Sequence, residues 1–234
     1  MFSVPLIALT GAEPITPTLG ARTLHASTDN TDQFTKTISH NSVTGNVLIA
    51  FVSRTTSTAD ANPAALWGAA GAQDPVPSIV QAGVSDPGEH YCGIFFIRNG
   101  FVGTGDATLN FSGAMREILF WVQDVSTVPP AHIGASVAVT FNTLDTTVAA
   151  AITPENALSL LVAIAGFGSG GADPLSSSAG WTELVEGQTG TTTNRVCASL
   201  SSRTAGGTSP QTLTVTATVG DTDRVLAIAE LLPL

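Results

Sequence analysis

Gln211-Thr-Leu-Thr-Val-Thr-Ala-Thr218, followed after Val-Gly-Asp-Thr-Asp by Arg224-Val-Leu-Ala-Ile-Ala-Glu-Leu-Leu232, sets two kinds of strand side by side. The first alternates polar and apolar residues with a period of two, giving one wet and one buried face, while the second is apolar almost throughout, as a strand covered on both faces is. Together they read as an antiparallel pair. The same pair occurs earlier as Asp106-Ala-Thr-Leu-Asn-Phe111, a Ser-Gly turn, and Arg116-Glu-Ile-Leu-Phe-Trp-Val-Gln-Asp-Val125. Cys92 to Cys197 is 105 positions, Leu109 to Leu213 is 104 and Arg116 to Arg224 is 108, so the order of strand types repeats at a nearly constant offset. The chain reads as two similar β halves, about 33–127 and 131–234, parted by Val128-Pro129-Pro130. Two independent domains would need two cores and a linker, so a single two-sheet sandwich sharing one core is the more economical expectation.

Composition agrees with an all-β chain. Over 234 residues only 11% are charged, whereas Gly, Ser, Thr, Ala and Val are abundant. The formal net charge is −10 and Lys36 is the only lysine, so nucleic acid and anionic lipid are repelled and neither is an expected partner. The longest apolar run, from Ala157 to Phe167, is far short of the roughly 20 residues that cross a bilayer. The N-terminal stretch is apolar but has no basic n-region, which argues against a cleaved signal peptide.

Residues 1–32 carry Pro5, Pro14, Pro17, Gly11 and Gly20 without a sustained period and read as an extended N-terminal arm ahead of a sandwich spanning 33–234. The arm is rich in apolar residues, among them Phe2, Leu6, Ile7, Leu9, Ile15 and Leu19. Such a segment is either an edge strand or strap on its own domain, or an arm that buries these side chains against a neighbouring subunit. Asn46-Val-Leu-Ile-Ala-Phe-Val52 and Tyr91-Cys-Gly-Ile-Phe-Phe-Ile97 are apolar on both faces and belong centrally, as does 158–165. Residues 54–76, with their Gly and Asn-Pro or Asp-Pro signals, read as a long loop with room for a short helix around Trp67.

Taken in order, these signals resemble a broad group of sequences of similar size among tailed-phage structural proteins and bacterial surface proteins. The residues that carry the likeness are the strand 46–52, Cys92 to Ile97 leading into Gly105 to Gly113, the strand 160–164 before a Gly-rich loop, Gly180-Trp181, and the closing Leu232-Pro233. The resemblance covers roughly residues 33 to 234. It implies an antiparallel two-sheet β-sandwich of jelly-roll type and a place on the surface of a virion. It brings no catalytic residues with it.

Chemistry has little foothold. His25, His40, His90 and His132 fall one per segment, never at a spacing that sets two imidazoles on one metal. No Gly-x-Ser-x-Gly supports a nucleophilic serine, and Gly166-Phe-Gly-Ser-Gly-Gly171 has neither the lysine nor the helix of a phosphate loop. Asp221-Thr-Asp223 lacks the further ligands of a calcium loop. Neither a cofactor, a metal nor catalysis is expected. Cys92 and Cys197 read as small buried side chains, with a bridge between matching places of the two halves as the alternative. A glycan could stack on an exposed indole, for which Trp67, in its long loop, and Trp181 are the candidates. The expectation is a non-enzymatic virion structural protein, most specifically a capsid decoration or head-surface protein of a tailed phage. Its partners would be the major capsid protein, other virion proteins and further copies of itself. The alternative is a carbohydrate- or receptor-binding module of a tail or cell surface.

Overall fold

The structure, a computed structural model, describes residues 14–27, 33–55, 63–83, 90–126, 133–168, 174–189 and 196–234. The first half contributes the strands Leu19–Ser27 (β1), Gln33–Ser42 (β2), Val47–Thr55 (β3), Ala64–Ala69 (β4), Ala72–Val76 (β5), Ser78–Gly83 (β6), His90–Ile97 (β7) and Gly103–Val125 (β8). The second contributes Ile133–Phe141 (β9), Asp145–Ile152 (β10), Leu160–Phe167 (β11), Ser176–Ser177 (β12), Thr182–Gln188 (β13), Cys197–Thr204 (β14), Gln211–Asp221 (β15) and Arg224–Leu231 (β16). Among the described residues no helix is long and apolar enough to cross a membrane.

β8 organises the first half. Over 118–124 it lies between β1 and β3, and over 106–110 between β2 and β4. Ser42 pairs with Gly103 at one end of β8, yet its hydroxyl donates to Asp124 Oδ1 at 2.6 Å near the other. The two ends therefore lie together, and the strand doubles over. The corner falls where the β2 register jumps from Thr35↔Asn110 to Gln33↔Met115, at the Ser112-Gly113 pair read as a turn from the sequence. One leg of β8 then belongs to the layer β6-β7-β3-β8-β1, the other to the layer β5-β4-β8-β2. In the second half the same path is broken between β15 and β16, and the layers are β13-β14-β11-β16-β9 and β10-β15-β12. Counting β8 as two strands and setting aside β5, which has no counterpart in the second half, the halves share one order, 1-8-3-6-5 in one sheet and 2-7-4 in the other. With its fifth strand beside the sixth and not the fourth, that is the order of a jelly roll, all antiparallel.

The core is divided more finely than the single shared one expected. One cluster, with Phe51, Trp67, Leu109 and Phe120, fills the first sandwich, and another, with Phe167, Leu213, Val215 and Ile228, fills the second. The third lies between them, where Leu48, Ile94, Leu119 and Trp121 of β3, β7 and β8 meet Val162, Ile164, Leu200 and Ala227 of β11, β14 and β16. The two sandwiches stand back to back. Strands 224–231 and 160–167 are buried along their whole length because a core lies on each face. The approach is so close that side chains at Gly166 and Gly168 would overlap Val52 and the His90 ring.

Two alternatives left open by the sequence are decided, and one reading changes. Within the expected arm, residues 19–27 form β1, an edge strand antiparallel to Val125–Ile118, with Leu19 packed against the central core. Within the expected loop, β4 and β5 form a hairpin added to β8. No disulfide joins Cys92 and Cys197, for a reason of register. Val47 pairs with Ile97 and Asp124, and Leu161 with Arg203 and Glu230, so with Val47 set on Leu161, 114 positions on, β7 falls on β14 and β8 on β16 at an offset of 106. The counterpart of Cys92 is Ala198, and both face the central core, whereas Cys197 faces the outer core of the second half. A slip of one residue moves a strand side chain to the opposite face.

Candidate functional site

The aromatic candidates are buried. Trp67 is fully enclosed in the first core, and its indole N–H donates to the Phe101 carbonyl at 3.1 Å. Trp181 is 7% exposed and donates to the Thr212 carbonyl at 3.0 Å. Neither ring offers a face to a pyranose, which corrects the expectation of an exposed indole. β4 alternates so that Trp67 points inward.

Of the arm residues, Phe2, Leu6, Ile7 and Leu9 lie outside the described residues. Ile15 is 48% exposed and is fixed by its backbone, exchanging hydrogen bonds with Leu234 at 3.2 and 3.1 Å. Thr18 is held by Ser126, whose hydroxyl accepts the Thr18 N–H at 2.9 Å and lies 2.7 Å from the Thr18 hydroxyl. The chain is clamped to the body just where the apolar stretch begins.

The polar groups that the fold brings together are ones the sequence reading passed over. Positions 38, 40 and 42 of β2 alternate inward, carrying His40 and Ser42 beside the fully buried Asp124. Asp124 accepts the Ser42 hydroxyl and, at 2.8 Å, the Val43 N–H, and its Oδ1 lies 3.7 Å from His40 Nε2. The other ring nitrogen of His40 is 2.9 Å from the Thr23 hydroxyl. Burial outweighs the Asp124 charge and holds His40 below the ordinary histidine value, so it is neutral at pH 7. Ser42 gives its proton to the aspartate rather than to His40, so these three residues lock a loop and do not form a nucleophilic relay.

Glu230 occupies the position equivalent to Asp124. Fully buried, it accepts the N–H of Ala135 at 2.8 Å, of Glu155 at 2.8 Å and of Asn156 at 3.2 Å. Each half thus uses an acid near the end of its last strand to hold the loop entering its third. Arg224, also buried, donates to the carbonyls of Thr143 and Thr147 and lies 5.1 Å over the Phe141 ring, fixing the turn between β9 and β10.

A further polar group lies at the join of the sandwiches. His90 is 1% exposed with both ring nitrogens unpartnered among the described residues, and burial, aided by the Arg54 charge, pushes it down to about 3. It rests on Gly168, whose N–H donates to Asp221. Asp223 is raised, chiefly by burial and then by Asp221, which disfavours the doubly charged pair that a calcium ion needs. Among the described residues no group of three or more His, Cys, Asp or Glu could hold a metal ion.

No family model matches the chain, and neither does any curated protein. Two solved structures align along most of it. A structure of Melon necrotic spot virus has 14% identity over 99% of this chain and 97% of that one, with a TM-score of 0.26. A structure of Cucumber Necrosis Virus has 9% identity over 89% and 94%, with the same TM-score of 0.26. Scores this low carry no conclusion about the present chain, whose jelly-roll order rests on its own strand pairing.

Proposed function

We propose that this chain is a non-enzymatic structural protein of a viral particle, in its finer form a capsid decoration or head-surface protein of a tailed phage. It would act as a homo-oligomer in contact with the major capsid protein. The observation that carries the reading is the clamp at Ile15 and Thr18, which gives the apolar residues before it a fixed point of departure from a rigid body. Two jelly rolls sharing an apolar central core form such a body, and an arm leaving it can bury Phe2, Leu6, Ile7 and Leu9 on a neighbour. Repetition over many copies then turns a modest contact into stable attachment. The carbohydrate-binding alternative has lost both of its aromatic candidates to the core.

Immunogold labelling of intact particles from the source, with antibody against the recombinant protein, tests the reading. Label spread over heads is expected; particles bare of label would overturn it. Removing residues 1–13, and not β1, tests the arm. Particle incorporation should drop severalfold while the melting temperature holds, and unchanged incorporation would dispose of the arm.

A further inference from the structure

One end of the seam between the sandwiches is lined by ionisable side chains. Arg54 on β3 pairs across to His90 on β7 and to Glu117 on β8, so the three stand in a row. Each keeps the parity of the central-core residues of its own strand, Val52, Ile94 and Leu119, and therefore faces the second sandwich. There the His90 ring lies on Gly168 at the end of β11, so closely that a Cβ on that glycine would overlap it. Asp221 accepts the Gly168 N–H, and Asp223, which keeps the parity of Val225, lies within the field of both Asp221 and Arg54. β6, β9 and β11 add no titratable group, since 78–83, 133–141 and 160–168 contain none, and Arg224 of β16 is turned away towards Thr143 and Thr147.

The opposite end of the seam holds the chain crossings. β8 ends there at Val125, and the second half begins there at Ile133, whose partner is Leu231. Residues 15–18 cross the same end, from Ile15 on Leu234 to Thr18 on Ser126. The halves are thus tied by the chain at one end, and at the other the described residues meet as a ring laid on a glycine. We propose that the seam is a hinge with an acid-sensitive latch: protonation of His90 parts the sandwiches beside Gly168, while the crossings at the far end keep them together. Burial denies an imidazolium water, both ring nitrogens lack an acceptor among the described residues, and Arg54 is its neighbour; opening returns both nitrogens to solvent. The pKa of the ring is about 3 when enclosed and 6.5 in water, so falling pH favours the open form by up to tenfold per unit between those values. Asp223 works the other way, because burial raises it and lets it take a proton more readily while the seam is closed, which makes tenfold an upper bound.

The two cysteines report the opening. Cys92 lies in the central core, two positions along β7 from His90, and Cys197 lies in the outer core of the second half. A pyridyl disulfide, which reacts with thiols in acid as well as at neutrality, is applied to the full chain. The rate at each cysteine, located by peptide mass spectrometry, is divided by the rate in the unfolded chain at the same pH. From about pH 7 to about pH 5 the Cys92 ratio should rise about tenfold while the Cys197 ratio stays level. In His90→Leu, which removes the titrating ring, the rise should vanish; His90→Gln serves if circular dichroism shows that the first variant does not fold. A Cys92 ratio that ignores pH, a Cys197 ratio that climbs with it as in unfolding of the whole chain, or a response that survives the loss of His90 would overturn the proposal. None of these results bears on the particle reading, which the immunogold experiment decides separately.

Discussion

The two sandwiches follow one strand order but stabilise it differently. At structurally equivalent positions the first half places Trp121 and Leu119 in the central core where the second places Ala227 and Val225, so bulk on one side meets small residues on the other. The loop entering the third strand is held by Asp124 with Ser42 and His40 in the first half, and by Glu230 with backbone N–H groups alone in the second. The apolar alternation that builds the sheets is common to both, whereas the polar anchors are separate solutions to one requirement, that every buried backbone group find a partner.

The largest effect should come from removing the bulk that fits the halves together. Trp121→Ala is expected to cost about 4 kcal/mol in urea unfolding, against about 1–3 kcal/mol for Val225→Ile at the facing sheet. Equal costs would mean that the central core is not complementary in size.

Acid should then separate the halves from the rest of the fold's chemistry through His90. Its pKa is about 3 when folded and 6.5 when exposed, so only the unfolded chain takes up a proton as pH falls between these values. Stability from this residue is complete above pH 6.5 and should decline by about 1.4 kcal/mol per unit below it, levelling off near pH 3. In His90→Leu the decline should flatten by that slope; an unchanged pH profile would show that His90 is not buried as a neutral ring.

The anchors give a smaller and directional test. Glu230→Ala strands three backbone donors and should cost about 3 kcal/mol, while Asp124→Ala strands one backbone donor and one hydroxyl that can rotate, costing about 1–2 kcal/mol. The reverse ranking would make His40 a larger contributor than the geometry indicates. Smallest of all, a reductant should leave the melting temperature unchanged, because Cys92 and Cys197 face different cores.

The fold was legible where alternation was clean. Thr212 to Thr218 alternates in the structure as in the sequence, and Arg224 to Leu231 is buried throughout. What escaped has physical causes. Ala64 to Ala69 has few β-branched residues, so nothing local marked it as a strand until β8 supplied a partner. Ser112-Gly113 signals a break, yet a strand bent at a corner keeps its ladder on both sides. The cysteine offset of 105 was one residue from the structural 106, and with a period of two that residue decides which core a side chain enters. The site was less legible than the fold. Tryptophan exposure depends on which face of an unrecognised strand it occupies, and the Asp124 and Glu230 anchors join residues 74 to 95 positions apart, on loops whose neighbours no local pattern reveals. His40 and Ser42 were within reach, since both keep the parity of buried Ile38.

The central core also has a consequence for synthesis. Every strand of the first sandwich is complete once residue 125 has been made, but the wall formed by Leu48, Ile94 and Trp121 is covered chiefly by β11, β14 and β16, the last of which ends at Leu231. At ribosomal speeds of about 5–20 residues per second, a folded first half would wait roughly 5–20 seconds with that wall bare. Nascent chains on one polysome would be prone to stick to each other by those faces, so slow elongation through the second half should lower the yield of soluble protein.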